Sequence, residues 1–334
     1  MTFNRPRPVR PYELMCTVCA LGETQRGTAQ DPRLADLLAY VRADPSRPLA
    51  LVCNVSSDYG YQNAGTDRDT PEGALFNVKR DLDILQRMGL APGATRPAVE
   101  LFDRLLRQVP AARGLCGRQD ASSSAWRGCS KADSGAYERA RARGIEGVFP
   151  ARDAGDRAAH KARSTRAIRT ARVLSIRPHH LMCMSCYHAG RPREALEVLD
   201  GDNLQEPVLR MQDEPDVPVR LIQGCCMVCP PCPSYQPQTN RCLGGHGMAL
   251  RDEKKDLDVL QLTGLTYGQV LPARELMRLV YERIPSTRLV CAYGDGVVRG
   301  PEWTICGGPN GSSRYAKARR AGLGIPGLAG LFEK

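Results

Sequence analysis

Apolar residues recur at helical spacing along most of this chain, and the pattern is written twice. Leu34, Leu37, Leu38 and Val41 predict a helix over Pro32–Ala43. A shorter helix is expected at roughly Pro192–Leu199 in the corresponding place of the second half. Short strands are expected at Leu49–Val55 and at Val217–Ile222. Next comes a helix built around Asp-Leu-Asp, which Gly89 stops in one half and Gly264 in the other. Pro97 and Pro272 stand where the following helix starts. That helix has its buried stripe at Leu101, Leu105 and Val109, repeated as Leu276, Val280 and Ile284. Each half closes on a turn-rich segment and a small basic helix, Tyr137–Gly144 and Tyr315–Gly322.

The two halves align without a gap from 79–116 to 254–291. Lys79-Arg80-Asp81-Leu82-Asp83 returns as Lys254-Lys255-Asp256-Leu257-Asp258, and Cys16-x2-Cys19 returns as Cys183-x2-Cys186. The offset grows from 167 (Cys16 to Cys183) through 175 (Asp81 to Asp256) to 178 (Tyr137 to Tyr315), so the insertions fall between elements. The expected fold is therefore a mainly helical α+β tandem duplication with short strands and long cysteine-bearing loops. The first repeat covers 9–150, a basic helical linker 151–174, and the second repeat 175–334.

Composition narrows the class. With 334 residues, 42% hydrophobic and 25% charged, the chain suits two globular domains. It contains no apolar run of about 18 residues, which excludes a membrane-spanning helix. Met1–Met15 is rich in Arg and Pro and reads as no secretory signal, so a cytoplasmic location with reduced thiols is expected. In that setting 14 cysteines read as metal ligands or reactive thiols rather than disulfides. Much of the +11 charge falls between Arg152 and Arg172. Such a stretch is either a solvated connector or a face for nucleic acid. Aromatics are only 5% and do not interleave with it, which argues against a stacking platform for single strands.

The cysteines sort by whether both halves have them. Cys16, Cys19, Cys116 and Cys129 match Cys183, Cys186, Cys291 and Cys306. A Cys-x2-Cys pair with two distant cysteines can close a four-thiolate site, with zinc rather than iron expected there if the site is purely structural. The bland alternative is ordinary buried thiols. Trp126 and Trp303 stand three residues before the last cysteine of each set, placed either to shield such a site or merely to pack the core. Only the second half adds Cys225, Cys226, Cys229, Cys232 and Cys242, together with His179-His180. Cys226-x2-Cys229-x2-Cys232-Pro233 is a tight run of the kind that wraps three corners of a [4Fe–4S] cube in ferredoxins. Zinc also accepts paired knuckles of this spacing. The arrangement suggests a working half and a degenerate half.

Arg177-Pro178-His179-His180-Leu181-Met182-Cys183, followed by Cys229-x2-Cys232-Pro233, Cys242 and Asp256, resembles a family of short bacterial and archaeal proteins. Those proteins open on Arg-Pro-His-His-Leu-Leu-Cys and are suspected of binding an iron–sulfur cluster. The resemblance covers roughly Arg177–Gly264 and implies Cys183, Cys229, Cys232 and Cys242 as the ligands. Cys186, Cys225, Cys226, Cys291 and Cys306 lie outside that pattern. A second partition gives Cys226 to the cluster and leaves Cys183 to join Cys186, Cys291 and Cys306.

His179 and His180 are candidates for acid–base work or for a hydrogen bond to a ligand sulfur. Two aspartates at i,i+2 on a helix point apart, so capping and ion pairs with Lys79, Arg80, Lys254 and Lys255 are expected of them. Gly307–Ser313 reads as a turn. Three functions follow as expectations. The first is an iron–sulfur protein in electron transfer or cluster-assisted redox chemistry on a partner protein or small molecule. The second is a zinc-stabilised module that binds nucleic acid. The third is a thiol relay prompted by Cys225-Cys226. No pattern in the sequence prefers a substrate.

Overall fold

The computed structural model describes residues 5–23, 28–55, 60–67, 69–117, 126, 128–243, 250–291 and 311–332. The chain divides into two compact units, Met1–Ala151 and Arg152–Lys334. The first contains β1 (Arg7–Val9), α1 (Pro11–Glu23), α2 (Pro32–Ala43), β2 (Pro48–Leu51), α3 (Ala74–Met88), β3 (Thr95–Pro97), α4 (Ala98–Gln108), α5 (Ala136–Ala142) and α6 (Ile145–Val148). The second begins with α7 (Ala154–Thr170), β4 (Leu174–Ile176), α8 (Pro178–His188), α9 (Gln205–Asp213) and β5 (Pro218–Leu221). It continues with β6 (Tyr235–Gln236), β7 (Arg241–Cys242), α10 (Leu250–Thr263), β8 (Val270–Pro272), α11 (Ala273–Arg283) and α12 (Ser313–Arg320). The protein is α+β and mainly helical.

The two units repeat one topology. In the first, β2 lies between β1, parallel to it, and β3, antiparallel. In the second, β5 lies in the same way between β4 and β8. The register repeats as well, with Pro48 opposite Pro97 and Pro218 opposite Pro272. The predicted stripes are fully buried: Leu101, Leu105 and Val109 in one unit, Leu276, Val280 and Ile284 in the other. A buried tyrosine from the last basic helix ties each stripe down. Tyr137 donates its hydroxyl proton to the Val109 carbonyl at 2.8 Å, and Tyr315 does the same to Ile284 at 2.7 Å. Gly89 ends α3 in the left-handed region (φ 63°), where a side chain is disfavoured.

Four features differ from the sequence pattern. Of Pro192–Leu199 only Arg193–Ala195 winds, as a single 3₁₀ turn. That segment has no apolar stripe to bury, and Val198 stays 64% exposed. The helix at this place is α9 instead, with Val208 and Met211 buried. Both strands are shorter than expected, four residues each. The paired cysteines sit inside α1 and α8 rather than in loop knuckles, so each pair shares one helix face at i,i+3. The basic stretch is helical, but it docks on the second unit through Ile168 and Ser164 and is no free connector.

Candidate metal centre

The Arg-Pro that opens each cysteine helix gains its meaning from the aspartate two elements later. Arg177 precedes α8, whose first backbone N–H groups lack partners within the helix. Asp256 on α10 fills that vacancy, accepting the His179 N–H on Oδ1 at 2.9 Å. Its other oxygen takes Nε and Nη2 of Arg177 at 2.9 and 2.7 Å. His179 Nδ1 also reaches Oδ1, at 2.8 Å, and against a carboxylate that nitrogen carries the proton. Burial opposes the charge on Asp256, but His179 and Arg177 outweigh it and hold the carboxyl below its ordinary range. The pairing expected for these aspartates is thus divided. Asp83 and Asp258 pair with Lys79 and Lys254 on the surface, whereas Asp81 and Asp256 turn inward to Arg10 and Arg177.

Anchoring the start of α8 puts His180 and Cys183 at the wall of a cavity of about 350 Å³. Cys225, Cys229, Cys232 and Cys242 line the same cavity. The sulfurs arrive from three directions. Cys183 comes from α8, Cys225 to Cys232 from the loop after β5, and Cys242 from the β6–β7 hairpin, where it stands opposite Tyr235. The first unit has no counterpart of that hairpin among its described residues. Turns at Cys226–Cys229 and Cys229–Cys232 fold the loop on itself, with N–H to carbonyl distances of 3.0 and 2.8 Å.

Helix α7 holds this loop in place. Arg152 donates to the carbonyls of Pro230 and Cys232 at 2.8 and 3.0 Å, and Ser164 donates to that of Met227 at 2.6 Å. Lys161 reaches the Asp202 carbonyl at 2.7 Å, and Arg169 makes a two-pronged pair with Glu206. Part of the positive charge in this stretch therefore serves the fold of the second unit.

Beside the cavity, Cys226 turns to His180, with Sγ 3.1 Å from Nδ1 and 3.9 Å from Cys229 Sγ. The Cys226 N–H points at Cys229 Sγ at 3.3 Å. The donor atoms of His180, Cys226 and Cys229 all lie within 4.8 Å of one another, close enough to share an ion. Burial pushes the Cys226 thiol up and both histidines down, so the His180–Cys226 pair is neutral and shares one hydrogen bond. Contacts among the sulfurs together with burial push Cys225 and Cys229 up to about 12. Thiols packed against one another with such resistance to ionisation suit a cation, which would supply the charge they lack.

Three cavity residues were not foreseen. Arg251, Asp252 and Lys255 form one wall, with Asp252 Oδ1 at 3.2 Å from Arg251 Nε and 3.3 Å from Lys255 Nζ. Burial works against Asp252, yet His179, Lys255 and Arg251 hold it down at about 2. The signal was present in the repeat, since Asp252 and Lys255 stand 175 positions after Asn77 and Arg80.

The remaining predicted residues fall in two places. Cys186 and Cys291 line a separate cavity of about 390 Å³, which Cys183 also borders. Cys306 and Trp303 lie outside the described residues, as do 307–310, while Ser312 caps α12 by accepting the Tyr315 N–H. In the first unit Cys16, Cys19, Cys116 and Cys129 join one apolar cluster, whose burial pushes the thiols up. Comparison with family models, curated proteins and solved structures gives no match to this chain.

Proposed function

We propose that the second unit is an iron–sulfur centre, in which Cys183, Cys229, Cys232 and Cys242 hold a [4Fe–4S] cluster used for electron transfer or for redox chemistry on a small molecule. One observation carries this reading: these four thiols, brought from a helix, a loop and a hairpin, line one cavity of about 350 Å³. They are also the four that the family resemblance implies. Such a cluster would supply a one-electron couple, tuned by burial and by hydrogen bonds to its sulfurs. The chain's own part is to fix the thiols, through the Asp256 anchor of α8 and the α7 clamps on the loop. His180, Arg251 and Lys255 are among the groups on the cavity wall able to donate to a bound anion or small molecule.

A second reading has its own observation. The His180–Cys226–Cys229 group fits a single ion, and zinc takes this mixture of imidazole and thiolate. In that case the unit is a zinc-stabilised module. Anaerobic purification with iron and sulfide analysis separates the two. The cluster reading expects about four irons and four sulfides in the second unit, lost in Cys183→Ser and kept in Cys226→Ser. Stoichiometric zinc without iron, lost in Cys226→Ser and kept in Cys183→Ser, overturns it in favour of zinc.

A further inference from the structure

The first unit lacks the dense thiol loop, yet it contains a charge arrangement absent from the second. Arg80 on α3 is only 2% exposed. Its guanidinium lies 4.3 Å from the centre of the Tyr12 ring and 5.1 Å from that of Phe76. Its guanidinium bonds Oδ1 of Asn77 and Oγ1 of Thr70 and lies within reach of the Cys116 side chain, and its Nε has no oxygen partner. Among the described residues no carboxylate lies within ion-pair distance of it. The nearby Asp81 carboxylate feels Arg80 but is held by Arg10. A buried cation without an anion in contact costs several kcal/mol, so a fold that keeps one favours further negative charge beside it.

Sulfur is what surrounds it. Tyr12, beneath the guanidinium, is one helical turn before Cys16, and Cys19 follows on the same face of α1. Cys116 Sγ is 3.7 Å from Met15 Sδ, which puts the chain after α4 against α1 beside Cys16. Cys129 donates its N–H to the Cys116 carbonyl at 2.6 Å. The approach is so close at Gly128 (φ 78°) that a Cβ there would sit 2.7 Å from the same oxygen. The Glu72 carboxylate lies beside Cys129.

The second unit shows what is missing. Position 255 is also cationic, but Asp252 is its partner at 3.3 Å. In the first unit the matching position is Asn77, so the carboxylate is absent there while the cation and the four cysteines are present.

We propose that Cys16, Cys19, Cys116 and Cys129 form a four-thiolate site for one Zn²⁺, and that Arg80 is the buried counter-charge of that site. Four thiolates around one divalent ion carry two negative charges, which Arg80 reduces to one. Uptake of the ion displaces the thiol protons into solvent. The four-cysteine set is the one structural zinc uses. Arg80 touches no metal and acts by holding thiolate charge in the core, which makes it a positioning residue. The inference is independent of what the second unit binds.

The test uses the full chain carrying Cys229→Ser, which removes a ligand from either reading of the second unit. One zinc per chain is expected, replaceable by Co²⁺ with the charge-transfer absorption of four sulfur ligands, and lost on adding Cys129→Ser. If that double variant does not fold, Arg80 gives the answer. Arg80→Gln should lower zinc affinity by about tenfold or more, with Arg80→Lys restoring most of it, whereas a merely structural role would lower the melting temperature and leave the affinity of the folded protein unchanged. No zinc in the Cys229→Ser chain, iron in its place, zinc that survives Cys129→Ser, or equal affinity in Arg80→Gln overturns the proposal.

Discussion

The two units use one carboxylate in two ways. In the first, Asp81 accepts the Tyr12 N–H and pairs with Arg10 at Nε, while Asp69 takes another arm of the same guanidinium. In the second, Asp256 takes both Nε and Nη2 of Arg177 and adds the His179 ring. The helix start is fixed in each case. Only in the second does the fixing also orient a histidine beside a thiol-lined cavity. Where the first unit has Tyr12 the second has His179, which joins an element of scaffold to an element of chemistry on the same backbone anchor.

The widest divergence is expected at the cysteines. On the proposed cluster reading, Cys232→Ser should remove or strongly alter the cluster absorbance, because it leaves one iron without its thiolate. Cys129→Ser should leave that absorbance intact. Visible spectra with iron analysis on both variants check this. Loss of the cluster in Cys129→Ser would mean that the units do not hold their sites separately.

Next in size is the loss of the anchors. Asp256→Asn leaves Arg177 buried, 1% exposed, with its carboxylate partner gone. Removing one partner of a buried pair costs about 3–5 kcal/mol. Asp81→Asn leaves Arg10 its contact to Asp69, so about 1–3 kcal/mol is expected, the range for a lost buried hydrogen bond. Denaturant unfolding at neutral pH measures both. Equal losses would show that His179 and the second Arg177 contact add nothing.

These anchors also mark how far the sequence could be read. Repeats, buried stripes and the Gly89 stop follow from periodicity and local backbone chemistry, and the structure has them where expected. The helix over Pro32–Ala43 is reproduced to the residue. The Arg177–Asp256 pair was not legible, because its members stand 79 positions apart and Lys254 offered Asp258 a nearer partner. The cysteine pairs looked like knuckles because spacing alone does not separate a loop from one helix face. The cavity cysteines were singled out as ligands from their density, but spacing left their division around Cys183 open, and Cys183 borders both cavities. The docking of α7 was hidden by composition: Arg152 and Ser164 serve backbone carbonyls, for which a sequence has no mark.

The anchors should also answer to acid with opposite signs. Arg10 keeps its charge, since Asp81 and Asp69 outweigh burial and raise it, but burial pushes Asp81 up to about 6 from an ordinary 3.8. The folded chain then holds a proton that the unfolded chain releases, so this group's contribution falls as pH rises from about 4 to about 6. Asp256 lies below 3.8, so its contribution is present above about pH 4 and is lost as pH falls through its folded value. The stability gap between wild type and Asp81→Asn should widen as pH falls from 6 to 4. The gap to Asp256→Asn should be flat over that range and close below it. Urea unfolding followed at Trp126 in a Trp303→Phe background reads the first unit directly. A gap to Asp81→Asn that narrows toward pH 4 would break the contrast.

The smallest effect belongs to the other aspartate of each pair. Asp83 and Asp258 are partly buried, one residue beyond the exposed Leu82 and Leu257, and bind Lys79 and Lys254 one helical turn earlier. Pairs of this kind gain little, because water screens both charges and two long side chains must be ordered. Asp83→Ala and Asp258→Ala should each cost about 0.3–0.5 kcal/mol and should lose even that at high salt. Their equality matters more than their size. Outside the anchors and the sulfur sites the repeats should respond alike, so a cost near 2 kcal/mol at one aspartate alone would place a further functional difference on the surface of that helix. Matched salt titrations of the two variants, read as unfolding midpoints, decide it.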